Sequence, residues 1–98
     1  MSEKPKRVFI QYLSMNNALK ALTEEEYDRE WAEIVKKKPE IQNKLGINEI
    51  FHGAVYGVSE DAVIALEADN LENKNVYIKE IGLAKWLSDS RTLTVLPF

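Results

Sequence analysis

Cysteine is absent from this 98-residue chain, which removes a disulfide framework, a thiolate nucleophile and the common zinc sites built on thiolates. With one histidine, a conventional metal site of several imidazoles is excluded as well, and no motif asks for a cofactor. Four glycines and three prolines are too few for a collagen-like or low-complexity chain. A basic surplus is also missing: 13 Lys and Arg against 16 Asp and Glu leave a net charge of −3, so no direct nucleic-acid partner is expected. The apolar stretch Val8 to Leu13 is too short for a signal-peptide core or a membrane span, so no membrane partner and a cytoplasmic address are expected. No internal period recurs along the chain.

What is present is 45% hydrophobic and 30% charged, the balance of one compact domain over residues 1–98, with a charged start through Lys6 as the one loose segment. A chain this short buries a modest share of its surface, so pairing with a second copy would help its stability.

Val8 to Leu13 is β-branched and aromatic, with almost nothing polar on either side of the pleat, and predicts a strand covered on both faces. Ser14 to Leu22 fits a loop or a short helical turn equally well. Thr23-Glu24-Glu25-Glu26 then matches a capping box, with Leu22 and Tyr27 placed as its hydrophobic staple. Tyr27, Trp31, Ile34, Val35, Ile41 and Leu45 continue at helical spacing, with a kink or restart expected at Pro39 and a left-handed terminus at Gly46. Ile47 to Tyr56 and Ala62 to Leu66 predict a hairpin about the turn at Gly57 to Asp61. A second helix, interrupted at Gly82, is expected from Leu71 to about Ser88, and a last strand with one dry face from Arg91 to Leu96.

The order β-α-β-β-α-β predicts an α+β, ferredoxin-like fold, a four-stranded antiparallel sheet with two helices on one face. The first and third strands are apolar on both sides, so the uncovered face would expose several hundred Å² of grease unless a second copy packs against it. A homodimer, with higher assembly left open, is the expected partner state.

His52 is the candidate for chemistry, because an imidazole can act as general acid or base near neutral pH and small neighbours leave room beside it. The plainer alternative is a histidine hydrogen-bonded within the sheet. If the hairpin pairs Tyr56 with Asp61, His52 faces Ala65 and comes within diagonal reach of Glu67. Tyr12, Trp31, His52 and Tyr56 are the candidate ligand-binding residues; Tyr27, Tyr77 and Trp86 are further amphipathic aromatics, and packing competes with binding for each. Lys36-Lys37-Lys38 reads as a solvated helix face, and the acids from Glu24 to Asp28 are accounted for by the cap and the helix dipole.

Two segments carry a family resemblance. Tyr56-Gly57-Val58-Ser59-Glu60-Asp61-Ala62-Val63-Ile64-Ala65-Leu66-Glu67-Ala68 resembles the "G-x-YD-x-V-x-I-x-EA" segment of GYD-domain proteins, with the signature turn spread over Gly57 to Asp61. Arg91 to Phe98 is similar to that family's "R-T-x-T-L-x-A-F" ending. The resemblance implies the dimeric α+β barrel superfamily, whose members include antibiotic-biosynthesis-type monooxygenases, muconolactone isomerase and the ligand-binding domains of leucine-responsive regulators. It implies a dimer with a pocket between sheet and helices, and no shared catalytic residue.

Two functions follow as expectations. One is a small dimeric module that binds a small molecule or a partner. The other is a cofactor-independent enzyme of the monooxygenase or isomerase type, with His52 as general acid or base.

Overall fold

The computed structural model describes residues 6–96; residues 1–5, Pro97 and Phe98 lie outside the described residues. The expected loose start falls there except for Lys6, whose Nζ donates to the Gly46 carbonyl at 2.7 Å. The elements are β1 (Arg7–Met15), α1 (Asn17–Lys20), α2 (Glu24–Leu45), β2 (Asn48–Ala54), β3 (Ala62–Ala68), α3 (Leu71–Glu80), a 3-10 turn (Ala84–Trp86) and β4 (Leu87–Val95). The strands form one antiparallel sheet in the order β2-β3-β1-β4. This is the ferredoxin-like α+β arrangement expected from the sequence.

The α2 cap is the box read from the sequence: Thr23 Oγ1 accepts the Glu26 amide at 3.1 Å, and the Thr23 amide donates to Glu26 Oε1 at 2.9 Å. The helix ends at Gly46, whose φ of 67° is a conformation in which glycine avoids the Cβ clash. No restart occurs at Pro39, and α2 runs unbroken from Glu24 to Leu45. The carbonyl that loses its amide partner belongs to Val35, which is 48% exposed, so water can take the bond that proline forfeits. Gly82, with φ 89°, stops α3 far short of Ser88. The segment from Leu87 to Ser90 is strand, not helix.

Phe9, Leu13, Ile64 and Leu66 on the sheet meet Ile34, Tyr77, Ile78 and Ile81 in the buried core. Register places the alternate residues Val8, Ile10 and Tyr12 of β1 on the opposite face, beside Phe51 of β2 and Leu93 and Val95 of β4. There Phe51, Leu93 and Val95 are each about half exposed. β4 alternates as expected, with its apolar residues looking outward and Thr92 looking toward the helices, where its hydroxyl accepts from Lys74 Nζ at 3.1 Å.

The hairpin is displaced by one residue from the register expected. His52 pairs with Ile64, not Ala65, and Ala54 with Ala62, while Glu49 pairs with Leu66, so Ile50 is the extra residue of a β-bulge. His52 is accordingly removed from Glu67, whose Oε1 instead accepts from Asn48 Nδ2 at 2.7 Å. The strand also ends at Ala54, leaving Tyr56 in the connecting loop.

Candidate functional site

Glu49 and His52 are three residues apart, a spacing that puts side chains on opposite faces of a regular strand. The bulge at Ile50 restores both to the helix-covered face, since their partners Leu66 and Ile64 are core residues. His52 Nδ1 then lies 2.7 Å from Glu49 Oε1. Lys38 Nζ donates to the same oxygen at 3.0 Å, and Glu49 Oε2 accepts from Tyr77 OH at 3.0 Å and from Gln42 Nε2 at 3.3 Å. Gln42 Nε2 also donates to Tyr77 OH at 2.9 Å.

Burial pushes the Glu49 carboxyl up, but the hydrogen bond and charge of Lys38, with smaller contributions from Tyr77 and His52, outweigh it and hold the group below the ordinary carboxylate value. Burial, reinforced by the Glu49 charge, raises the Tyr77 hydroxyl, which stays a donor. An ionised Glu49 can only accept, so Nδ1 of His52 carries the hydrogen. In the neutral ring that leaves Nε2 with a free lone pair.

His52 packs edge-on against Trp31, with ring centroids 5.5 Å apart and planes at 60°. Lys38 Nζ lies 5.3 Å from the centroid of the same Trp31 ring. Trp31, Lys38 and His52 form one wall of a cavity of about 540 Å³ between α2 and the sheet. Its interior is mainly apolar, supplied by side chains such as Leu13, Ile34, Ile64 and Leu83. Leu19, Lys20 and Leu22 close it from the segment that sequence left undecided. That segment holds α1, capped by Asn16 Oδ1 accepting the Leu19 amide at 3.0 Å. At the rim Lys20 Nζ stands 3.9 Å from Asp61 Oδ2, and the same oxygen accepts the Met15 amide at 2.8 Å.

Of the four candidate binding residues, the fold brings Trp31 and His52 together. Tyr12 lies on the other face of the sheet, under the Arg91 guanidinium at 4.2 Å, and Tyr56 is 93% exposed in the β2–β3 loop. Alternation in β1 sends Tyr12 away from the cavity that Leu13 faces. The early end of β2 leaves Tyr56 outside any wall. Lys38 corrects the expectation of a solvated lysine face: Lys36 and Lys37 are exposed, whereas Lys38 is buried. The signal lay in its position, four residues after Ile34 on the apolar stripe. Glu49 and Gln42, and their hydrogen bonds to the Tyr77 hydroxyl, escaped sequence reading because their meeting depends on the bulge and on the docking of α3. Among the described residues, no group of three or more His, Cys, Asp or Glu side chains is placed to hold a metal ion, and no helix is long and apolar enough to cross a membrane.

No family model matches the chain, and no curated protein matches it. Solved structures do. A mutant chlorite dismutase from Candidatus Nitrospira defluvii superposes with a TM-score of 0.71 at 13% identity, over 96% of this chain and 41% of that one. The present chain thus spans less than half the length of that protein. A dimeric protein of unknown function and ferredoxin-like fold from Bacteroides fragilis gives 0.55 at 16% identity, over 91% and 93% of the two chains. An uncharacterized NIPSNAP domain protein from Burkholderia xenovorans gives 0.54 at 7% identity, over 94% of each. These likenesses establish shape and connectivity: the chain has a ferredoxin-like fold.

Proposed function

We propose that this chain is a small-molecule-binding module that works as a homodimer of the α+β barrel type. The observation that supports it is the apolar cavity of about 540 Å³ with a polar end at Lys38 and His52, a volume and lining suited to a ligand of drug-like size. All 98 residues form one domain in this proposal, in a cytoplasmic protein, and the Tyr56–Ala68 and Arg91–Phe98 segments favour the GYD-like branch of the superfamily. The half-exposed Phe51, Leu93 and Val95 support the second copy as the cover of the open sheet face, and the Bacteroides fragilis neighbour is described as dimeric.

The test is a fluorescence titration with N-phenyl-1-naphthylamine, a neutral apolar probe. Wild type binds it saturably, and Ala54→Trp, which adds an indole at the cavity wall, abolishes binding without lowering the melting temperature. Equal binding by that variant, or none by wild type, refutes the proposal.

A second function is favoured by the His52–Glu49 contact. With Nδ1 committed to Glu49, Nε2 is the atom to take a proton from a bound carbon acid and return it at another carbon, the redox-neutral chemistry of an isomerase. A monooxygenase-type reaction would require dioxygen as co-substrate. The enzymatic proposal falls if His52→Ala leaves turnover of any substrate found unchanged.

A further inference from the structure

We infer that the natural ligand of this cavity is a monoanion, an apolar body ending in a carboxylate or comparable oxyanion, and that the Lys38 ammonium is the group that recognises it. The inference rests on the binding proposal above and adds the ligand's charge.

Lys38 is one of three consecutive lysines, and it alone of them is buried, with its side chain 10% exposed. Removing an ammonium from water is costly unless its hydrogens find acceptors. Of its three hydrogens, one meets Glu49 Oε1 at 3.0 Å, and no second hydrogen-bond acceptor for Nζ occurs among the described residues. The Trp31 ring offers a weaker electrostatic partner. A buried cation with spare donors therefore lines a cavity whose other walls are mostly hydrocarbon.

Glu49 is the counter-charge of Lys38, but it takes one hydrogen of the ammonium and leaves the others without an acceptor among the described residues. It is not part of the cavity wall, and both its oxygens are engaged, Oε1 by Lys38 and His52 and Oε2 by Tyr77 and Gln42. Its charge is shared among four partners, three of them besides Lys38. The acids that do line the cavity stand elsewhere. Asp61 is held at the rim by Lys20 and the Met15 amide. Glu24 begins α2, about 21 Å of helix axis from Lys38 at 1.5 Å per residue. His52 touches the same Glu49 oxygen as Lys38, so one ligand headgroup can reach both. An oxyanion bound there accepts from Lys38, and a hydroxyl beside it would find the Nε2 lone pair.

The test compares two probes of one shape, 2-naphthoate and 2-naphthalenemethanol, by quenching of tryptophan fluorescence at pH 7. Because Lys38→Met alone leaves Glu49 buried without its cation, the informative variant is Lys38→Met with Glu49→Gln, which removes both charges and keeps the volume. Wild type should prefer the acid by about ten-fold or more, as a charge-assisted hydrogen bond warrants. In the double variant, shown folded by its melting curve, the ratio of acid to alcohol affinity should fall to about one. If wild type binds both probes equally, the inference is overturned and the cavity stands. If the preference persists in the double variant, Lys38 is not its source and the inference is likewise overturned. If neither probe binds wild type, the binding proposal itself fails.

Discussion

Glu49 and His52 share a hydrogen bond of 2.7 Å across a strand spacing that should separate them, and the bulge at Ile50 is the cause. Deleting Ile50 restores regular alternation, so the fold must send either His52 or Glu49 to the outer face. The expected result is loss of at least one of two contacts in a nuclear Overhauser spectrum, between the Trp31 and His52 rings or between the Tyr77 ring and the Glu49 side chain, with the remaining sheet retained. Persistence of both would show that the bulge is not what aligns the pair.

The depressed Glu49 carboxyl makes a signed prediction about acid. Its ionised form is favoured by the fold, so its stabilisation is fully present above the ordinary carboxylate value and is lost as pH falls through that value toward the lower one held in the protein. Glu49→Gln should cost about 3 kcal/mol at pH 7 by leaving Lys38 without its counter-charge, with the deficit shrinking below pH 4. Denaturation by urea at pH 7 and pH 3 measures both; an equal deficit at the two pH values contradicts the assignment.

Lys74 presents the opposite case. It is 2% exposed, and its ammonium meets Gln11 Oε1 at 2.9 Å and Thr92 Oγ1 at 3.1 Å, both uncharged; burial lowers its basicity. The unfolded chain holds that proton more firmly, so this site destabilises the fold at neutral pH, and the penalty fades as pH rises toward the ordinary lysine value. Lys74→Met with Gln11→Met should therefore raise stability by about 1–3 kcal/mol at pH 7, with a smaller gain at pH 10. A loss at pH 7 would mean that the polar trio contributes more than its desolvation costs.

For the open sheet face, Phe51→Asp with Leu93→Asp places two charges where a second copy would bury two apolar side chains, each worth about 1.5–3 kcal/mol. Multi-angle light scattering at micromolar concentration should give wild type twice the 11.3 kDa chain mass and the variant a single chain mass. A wild type of one chain mass defeats the proposed homodimer.

The parts legible in the sequence were those written in local chemistry. Thr23 and Glu26 announce the start of α2 because a capping box needs only residues three apart, and Gly46 marks its end because few other residues accept its backbone angle. Element order then gave the fold. The restart that was one alternative at Pro39 does not occur, because the cost of a proline depends on whether the orphaned carbonyl is wet, which composition does not reveal. The register of His52 was missed for a similar reason: Ile50 and Phe51 are adjacent apolar residues, and nothing local says which one the ladder skips. Trp31 lines the cavity because helical periodicity is reliable, whereas the place of Tyr12 depends on which face of the sheet the helices take and that of Tyr56 on where β2 ends, neither of which is written locally. Lys38 was hidden by Lys36 and Lys37, whose charge run suggested a common fate.

The ceiling of the cavity is fastened to the opposite end of the chain. Asn16 donates its amide to the Trp86 carbonyl at 2.8 Å and its Nδ2 to the Lys85 carbonyl at 2.8 Å, and Ser88 Oγ reaches the Ser14 carbonyl at 3.2 Å. The 3-10 turn whose Trp86 and Lys85 carbonyls accept the first two bonds leads straight into β4, which carries Ser88 and is one of the two edge strands of the sheet. If the cavity holds a ligand as proposed, anything that grips that edge would pull on the same strap beside the cavity mouth, and guest entry would be coupled to edge occupancy.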